Sequence, residues 1–232
     1  MREREISETI QDHRKIRSYV IRGGRISDSQ RIARDLIFST YGISFSRSEL
    51  NLEFLFPHRQ KLILEIGFGM GDATLEIAEQ NPDVNFIGIE VHPPGVGRVL
   101  SQIEKRGLSN LRVIEHDAVE VLQHMFPDAS INGIHIFFPD PWPKKRHHKR
   151  RLINSTLLTF MEAKLIDDGY IHIATDWQEY ADQIKALLSN SKNFSRDSKS
   201  YAAGPMNRPL TKFENRGKAL GHRISDIIFR KN

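Results

Sequence analysis

The first candidate site is a glycine-rich segment between two acids, Glu65-Ile-Gly67-Phe-Gly69-Met-Gly71-Asp72. Glycines at this spacing allow a tight turn that a ligand can approach closely. The pattern G-x-G-x-G differs from the G-x-G-x-x-G pattern that binds the pyrophosphate of dinucleotides. The segment contains no lysine or arginine, and its two carboxylates would repel a phosphate group. It therefore suits a positively charged ligand without phosphate.

Two further acids, Glu90 and Asp117, stand where later predicted strands end. Parallel strands end at one edge of a sheet, so Glu65, Glu90 and Asp117 are expected to face the same ligand. Glu90 can accept hydrogen bonds from both hydroxyls of a ribose and Asp117 from an adenine amino group, although Asp117 could equally cap the helix that follows it. S-adenosyl-L-methionine, a cationic nucleoside without phosphate, fits this pattern. NAD remains an alternative, which the glycine spacing disfavours.

The fourth predicted strand ends in a proline-rich turn, residues 137–143, with the sequence Phe-Phe-Pro-Asp-Pro-Trp-Pro. Three prolines in five residues restrict the backbone, so Asp140 and Trp142 are expected at defined positions above the sheet. Trp142 could pack against a base or belong to the core. Six of the next eight residues, 144–151, are lysine or arginine, which predicts contacts with phosphates beside the reacting atom.

Short apolar strands alternate with helices from residue 61 onward, which predicts a doubly wound α/β fold with a mostly parallel sheet. The preceding residues lack this alternation. We therefore expect an N-terminal extension over residues 1–57 and one domain over 58–232. The predicted strands are 61–66, 85–90, 111–114, 131–138, 169–175 and 224–229, and the predicted helices are 72–80, 96–106, 118–125, 152–165 and 177–189.

Composition narrows the class of protein. The chain of 232 residues has a net charge of +5 and no cysteine, which excludes disulfide scaffolds, thiolate zinc sites and cysteine nucleophiles. Neither a bilayer span nor a signal peptide is recognisable, so we expect a cytoplasmic protein. The basic residues concentrate at 1–34, 144–151 and 192–232 around an acidic body, which indicates a nucleic-acid partner.

Other chemistries have little support. His135 and His172 lie on predicted buried strands, where a hydrogen-bonded core imidazole is expected, and His147 and His148 lie within a cationic run that repels metal ions. We therefore expect no metal. The G-x-S-x-G motif of serine hydrolases is absent.

Several of these motifs together resemble the bacterial tRNA (guanine-N7-)-methyltransferases. They are the glycine segment, the turn at 138–143 with its basic tail, and three further strings: Glu90-Val-His-x-Pro-Gly-Val-Gly97, Ala174-Thr-Asp-Trp177 and Thr211-Lys-Phe-Glu-x-Arg-Gly217. The resemblance runs from about residue 17 to the end. It implies a class I methyltransferase sheet of seven strands, the last antiparallel, and a guanosine of the tRNA variable loop, position 46, as substrate.

The resemblance also implies roles for single residues. Asp140 matches the family's proposed catalytic residue, and three sets match its binding positions. The cofactor set is Glu65, Gly67, Gly69, Gly71, Glu90, Asp117 and Asp140; the substrate set is Lys144, Asp176, Thr211, Lys212, Phe213 and Glu214; the RNA-contacting set is Arg146, His147, His148, Lys149, Arg150 and Arg151.

The chemistry is consistent with these residue types. Guanine N7 carries a lone pair and no proton, so no general base is expected, and Asp140 is expected to orient the base and stabilise its developing positive charge. Either Asp176 or Glu214 could accept hydrogen bonds from the guanine edge. S-adenosyl-L-homocysteine would be the product, and tRNA is the expected partner. We expect a monomer or homodimer that requires neither a membrane nor another protein. An NAD-linked oxidoreductase and a catalytically silent RNA-binding protein are the alternatives.

Overall fold

The computed structural model describes residues 16–20, 26–196 and 208–232. Within them, seven helices and eight strands alternate along most of the chain. The strands are β1 (Gly42–Ile43), β2 (Lys61–Ile66), β3 (Val84–Glu90), β4 (Leu111–Glu115), β5 (Ile131–Phe137), β6 (Leu165–Thr175), β7 (Phe194–Arg196) and β8 (Ser225–Lys231). The helices are α1 (Asp28–Tyr41), α2 (Asp72–Gln80), α3 (Pro93–Arg106), α4 (Ala118–His124), α5 (Ser155–Lys164), α6 (Gln178–Ser189) and α7 (Lys212–Ala219).

The strands form one sheet in the order β1-β4-β3-β2-β5-β6-β8-β7. Every pair from β1 to β6 is parallel, whereas β8 runs antiparallel to both β6 and β7. The predicted doubly wound α/β fold is confirmed, including its antiparallel last strand. The eighth strand is the two-residue β1 at the sheet edge. Because β2 to β6 are parallel, their carboxyl ends meet along one edge.

Helices cover both faces of the sheet, which is why the central strands are almost continuously apolar. Helices α4, α5 and α6 pack with Leu64 and Ile66 on one face. Helices α2 and α3 pack with Ile63 on the other face. This three-layer core holds the strand ends rigidly in place.

The N-terminal part contains structure that was not predicted from the sequence. Ser27 and Gln30 form a reciprocal capping box at the start of α1. Arg34 of α1 donates to both oxygens of Glu115 at the end of β4, at 2.6 and 2.9 Å. Strand β1 then pairs with β4, so this part of the chain extends the sheet edge.

Four other features differ from the prediction. Strand β6 begins at Leu165, where a helix was predicted to end, instead of at residue 169, because Leu165 pairs with Ile131 before a register shift. Helix α3 starts at Pro93 instead of residue 96, because prolines fit the first turn of a helix, where the missing N–H is not needed. Strand β7 and helix α7 follow residue 189, where the apolar periodicity weakens. The basic run after the proline-rich turn forms a 3₁₀ helix, Lys145–Arg150.

Candidate active site

The glycine segment forms a loop from the end of β2 to the start of α2. Its three glycines all have positive φ, between 58° and 77°, a conformation that costs little only for glycine. The Gly69 N–H donates to Oε2 of Glu90 at 2.7 Å, and Oε1 of Glu90 accepts from the N–H groups of Val91 and His92 at 2.6 and 3.0 Å. Glu90 thus fixes the loop, and of its about four acceptor sites one remains for a ligand.

Glu65, at the end of β2, lies beneath this loop with only 5% of its surface exposed. Burial raises the pKa of Glu65 to about 7, the neighbouring Thr74 hydroxyl partly offsets that effect, and the charge of Glu90 adds to it. Two carboxylates in a poorly hydrated place favour a positively charged ligand.

A pocket of about 210 Å³ opens at the carboxyl ends of β2, β3 and β5. Gly67, Glu90 and Asp140 line it together with Ser18 and Tyr19 of the N-terminal segment. Among the described residues that line this pocket, none is a lysine or an arginine. Its wall therefore provides two carboxylates, Glu90 and Asp140, and apolar surface, which suit a cationic ligand better than an anionic one.

Asp117 is not among the residues that line this pocket. It caps α4, where its Oδ1 accepts from the Val119 N–H at 2.8 Å. It also lines a larger cavity of about 1120 Å³ that shares Ser18, Tyr19 and His116 with the smaller pocket. The pKa of Tyr19 is raised by burial and by the nearby carboxylate of Asp117.

The proline-rich turn is a strained element. Phe138 and Trp142 have positive φ values of 53° and 44°, which non-glycine residues rarely adopt. Asp140 is exposed between them. The indole of Trp142 contacts protein groups: its Nε1 donates to the Ser18 carbonyl at 3.0 Å, and the Arg150 guanidinium lies 5.3 Å from the ring centre. Trp142 therefore anchors the N-terminal segment over the pocket.

Ser18 and Tyr19 are site residues that the sequence pattern did not indicate. Both line the small pocket and the larger cavity. A short polar segment such as Arg17-Ser-Tyr-Val20 carries too little pattern to indicate a position in space.

The basic run divides into an exposed part and a buried residue. Lys144, Lys145, Arg146 and Lys149 are exposed, and His147, His148 and Arg150 are half-buried. Arg151 stands apart: it is 2% exposed, its Nε donates to the Pro141 carbonyl at 2.9 Å, and its guanidinium lies 4.9 Å from the Tyr180 ring centre. The structure thus places Arg151 beneath the turn instead of with the exposed cations.

Helix α7 lies over the same edge of the sheet. Thr211 caps it by accepting from the Glu214 N–H at 3.1 Å. The Lys212 ammonium lies 3.4 Å from Oδ2 of Asp72, at the start of α2. The Phe213 side chain is outside the described residues.

Asp176 lies beneath this helix, directly after β6. A Cβ on Gly217 would be 3.0 Å from Oδ2 of Asp176, so α7 passes directly over the carboxylate. The same oxygen is 3.3 Å from Nδ1 of His222. The fold thus brings Asp176 and helix α7 together, although they are far apart in sequence.

Asp72, the second acid of the glycine segment, is already paired. It forms ion pairs with Arg98 of α3 and with Lys212, so it does not face a ligand as a free charge. Arg98 was not predicted as its partner because the two residues are 26 positions apart along the chain.

Glu214 is paired as well. Its carboxylate is buried and forms ion pairs with Lys218 and Arg208. Burial opposes ionisation, but the hydrogen bonds from Lys218 and Arg208 hold the pKa of Glu214 below its usual value. Its oxygens are therefore occupied by protein groups.

The buried histidines have structural partners, as predicted. His135 shares a hydrogen bond with the Tyr170 hydroxyl at 2.8 Å, and His172 with Asp226 at 2.9 Å. Burial and the neighbouring His172 lower the pKa of His135 to about 3. In the described part of the chain, no three histidine or acidic side chains cluster as a metal ion would require.

Comparison with solved structures agrees with the fold class. The aminoglycoside resistance methyltransferase NpmB1 superposes with a TM-score of 0.52 at 14% identity, covering 76% of this chain and 89% of that one. The 16S rRNA methyltransferase KamB superposes at 0.51 with 15% identity, covering 91% and 97%. The fold is thus that of the class I methyltransferases.

Sequence comparison identifies the family. Residues 59–227 match the family model described as "Putative methyltransferase". The tRNA (guanine-N(7)-)-methyltransferase of Nitrosospira multiformis is 50% identical over 94% of this chain and 96% of its own length. The enzyme of the same name from Methylobacillus flagellatus is 52% identical over 94% and 92%. The chain belongs to the tRNA (guanine-N7-)-methyltransferase family, as its motifs indicated.

Within the described residues, no helix is long and apolar enough to cross a bilayer.

Proposed function

We propose that this protein transfers a methyl group from S-adenosyl-L-methionine to N7 of a guanosine in the variable loop of tRNA, at position 46. The observation that carries the proposal is the pocket at the strand ends. There Gly67, Glu90 and Asp140 meet beside an exposed run of cations. A cation-binding pocket next to a polyanion-binding surface suits a sulfonium methyl donor and an RNA acceptor. The relatives from Nitrosospira multiformis and Methylobacillus flagellatus carry the same activity in their names.

The residues present fit the methyl donor. Glu90 is buried and has an acceptor site left for a ribose hydroxyl, and Glu65 lies beneath the loop as a second carboxylate. Asp117 at the rim would accept from an adenine amino group. When bound, S-adenosyl-L-methionine supplies an electrophilic methyl group, and S-adenosyl-L-homocysteine is the product. The G-x-G-x-G spacing and the carboxylates beside the glycine loop disfavour the pyrophosphate of NAD.

Asp140 is the catalytic residue in this proposal. The lone pair of N7 forms the new N–C bond while the methyl–sulfur bond breaks, and no proton leaves the base. Asp140 therefore orients the ring and stabilises the positive charge that develops on it. Its position in a turn restricted by three prolines fixes the backbone that carries the carboxylate before the substrate arrives.

Asp176 is the residue that we assign to the guanine edge. A guanine presents its N1–H and N2 amino group to one carboxylate acceptor. Glu214 is buried and already paired with Arg208 and Lys218. Asp176 is half-buried, and its pairing with His222 uses Oδ2. Because Oδ2 keeps a second lone pair beside this pairing, we assign both oxygens of Asp176 to the base.

The exposed basic residues bind the RNA backbone. We assign phosphate contacts to Lys144, Arg146, Lys149 and the neighbouring histidines, while buried Arg151 supports the turn. The major groove of A-form RNA is too narrow for side chains to reach N7, so a loop nucleotide is the accessible target.

We assign the catalytic domain to residues 58–232 and an N-terminal extension to 1–57. We assign the activity to the cytoplasm, which suits a tRNA substrate.

The test is methylation of unmodified tRNA with labelled S-adenosyl-L-methionine, followed by mapping of the labelled nucleotide. We expect 7-methylguanosine at a single variable-loop position. Label elsewhere would contradict the assigned site, and tRNA binding without label or cofactor uptake would leave only an RNA-binding protein. A nicotinamide titration serves as the negative control for the NAD alternative.

A further inference from the structure

Arg208 connects two acids from different parts of the fold. Its side chain is 8% exposed. Nε and Nη2 donate to Oδ1 and Oδ2 of Asp226 on β8, both at 3.0 Å, and Nη1 donates to Oε2 of Glu214 on α7 at 2.5 Å. Burial by itself would raise the pKa of Asp226, but the hydrogen bonds from His172 and Arg208 outweigh it and bring the pKa to about 2. The charge of Arg208 is thus balanced by two carboxylates inside the protein.

The same guanidinium also touches the catalytic turn. It lies 5.7 Å from the ring centre of Phe137 and 5.4 Å from that of Phe138. Phe138 has the positive φ of 53° that starts the turn, and its N–H donates to the Ala174 carbonyl at 2.8 Å. A strained residue of this kind persists only where its surroundings hold it. Arg208 is therefore part of what holds the backbone two residues before Asp140.

The ion pair of Arg208 with Glu214 orients helix α7. Glu214 is in the first turn of α7, and Arg208 and Lys218 hold its carboxylate. This places Lys212 near the glycine loop, and the helix passes over Asp176. One buried side chain thus contacts both the turn with Asp140 and the helix over Asp176.

We propose that Arg208 is a positioning residue that holds the Asp140 turn and helix α7 in one relative orientation, so that the methyl donor and the guanine stay aligned. This inference rests on the proposed function. A planar, bidentate guanidinium can pair with two acids and lie over a ring at once, which the ammonium of lysine cannot do. Nothing in this network requires Arg208 to touch the substrate.

The test compares Arg208→Lys with Arg112→Lys. Arg112 is a matched control because its guanidinium also lies over two rings, Tyr41 and Phe56, at 5.7 and 5.0 Å, near the start of β4 and away from the pocket edge. A misplacement of about 1 Å can cost about 100-fold in rate, so we expect kcat of Arg208→Lys to fall by about 10- to 100-fold. Affinity for S-adenosyl-L-methionine by calorimetry should match the control. Because lysine cannot keep both ion pairs, the melting temperature should fall further than in the control, so kcat is measured well below it.

Two results would overturn the proposal. One is a kcat equal to that of the control; the other is a fall in kcat that merely follows a fall in cofactor affinity or in folding. The double variant Arg208→Lys with Asp140→Ala gives a second measurement, since residues that act as a unit have non-additive effects and independent residues have additive ones. If the native protein fails to methylate tRNA, the proposed function fails; if it succeeds and Arg208→Lys equals the control, only this inference fails.

Discussion

Acids of one chemical type occupy different environments at the edge of this sheet. Glu65 is buried with a raised pKa, Glu90 is held by three backbone N–H groups, and Asp140 is exposed on a strained turn. Asp72 and Glu214, equally acidic in sequence, are neutralised by ion pairs. Position in the fold, more than residue type, decides which carboxylate can meet a ligand.

Asp140→Ala should abolish most turnover while binding of tRNA persists. A preorganised charge at a reacting centre is typically worth about 100-fold or more in rate, so we expect at least that decrease in kcat. Single-turnover methylation and tRNA binding by filter retention measure the two effects. Asp83→Ala removes an exposed acid at the opposite end of the strands and serves as the control. Unchanged turnover in Asp140→Ala would remove the residue from the mechanism.

Glu65 should make cofactor binding depend on pH. Its carboxylate is protonated below about pH 7 in the free protein, yet a cationic ligand favours the charged form. Affinity for S-adenosyl-L-methionine should therefore rise as the pH rises through about 7, with proton release on binding near that pH. Calorimetry in buffers of different ionisation enthalpy measures both quantities.

Glu65→Gln should remove this pH dependence, and Glu76→Gln, an exposed change on α2, should preserve it. The effect on folding has the opposite sign. Because the folded pKa of Glu65 exceeds its usual value of 4.5, the contribution to stability is complete below the unfolded pKa and is lost as the pH rises through about 7. A native affinity that does not vary with pH would contradict the role of Glu65.

Among the elements, helix α3 approaches the backbone of its neighbours very closely. A Cβ at Gly95 would lie 2.0 Å from the Gly69 carbonyl oxygen, and one at Gly97 would lie 2.2 Å from the Gln30 carbonyl oxygen. Both neighbours are backbone atoms that cannot rotate away. The close contact at Gly95 positions the glycine loop, and the close contact at Gly97 positions α1.

Gly95→Ala and Gly97→Ala should therefore have different effects. Gly95→Ala should weaken binding of S-adenosyl-L-methionine by displacing the loop. Gly97→Ala should lower the free energy of unfolding by about 1–3 kcal/mol through overpacking. The higher helix propensity of alanine offsets up to about 1 kcal/mol of this loss. Cofactor affinity should change little. Calorimetry and thermal unfolding separate the two, and equal effects on affinity would contradict these separate roles.

Across the whole molecule, the exposed cations form a patch beside the pocket edge. The variant Lys144→Glu/Lys145→Glu/Arg146→Glu should weaken tRNA binding and flatten its salt dependence, by about 0.7–0.9 in the log–log slope for each phosphate that the variant no longer binds. The control variant Arg59→Glu/Lys61→Glu/Lys105→Glu changes the net charge equally, at exposed positions towards the amino ends of the strands. Equal slopes in the two variants would show that only total charge matters.

Much of this architecture could be predicted from the chain alone. The apolar strands 61–66, 85–90 and 111–114 and the helices between them depend on local periodicity, which is visible in sequence. The elements missed, α1, β1, β7 and α7, depend on tertiary interactions such as Arg34 with Glu115 and Lys212 with Asp72, which join residues far apart along the chain. Residues 21–25 and 197–207 lie outside the described part of the chain.

The amino-acid sequence by itself determined the fold class, the family and the acids at successive strand ends, because each depends on short-range pattern and residue type. Only the tertiary structure decided which of the charged side chains remain available to a ligand or to RNA. Arg151 is buried under the turn, Asp72 is paired with Arg98, and Arg208 joins Glu214 to Asp226. These outcomes depend on groups distant along the chain that meet only when the sheet and its helices pack together.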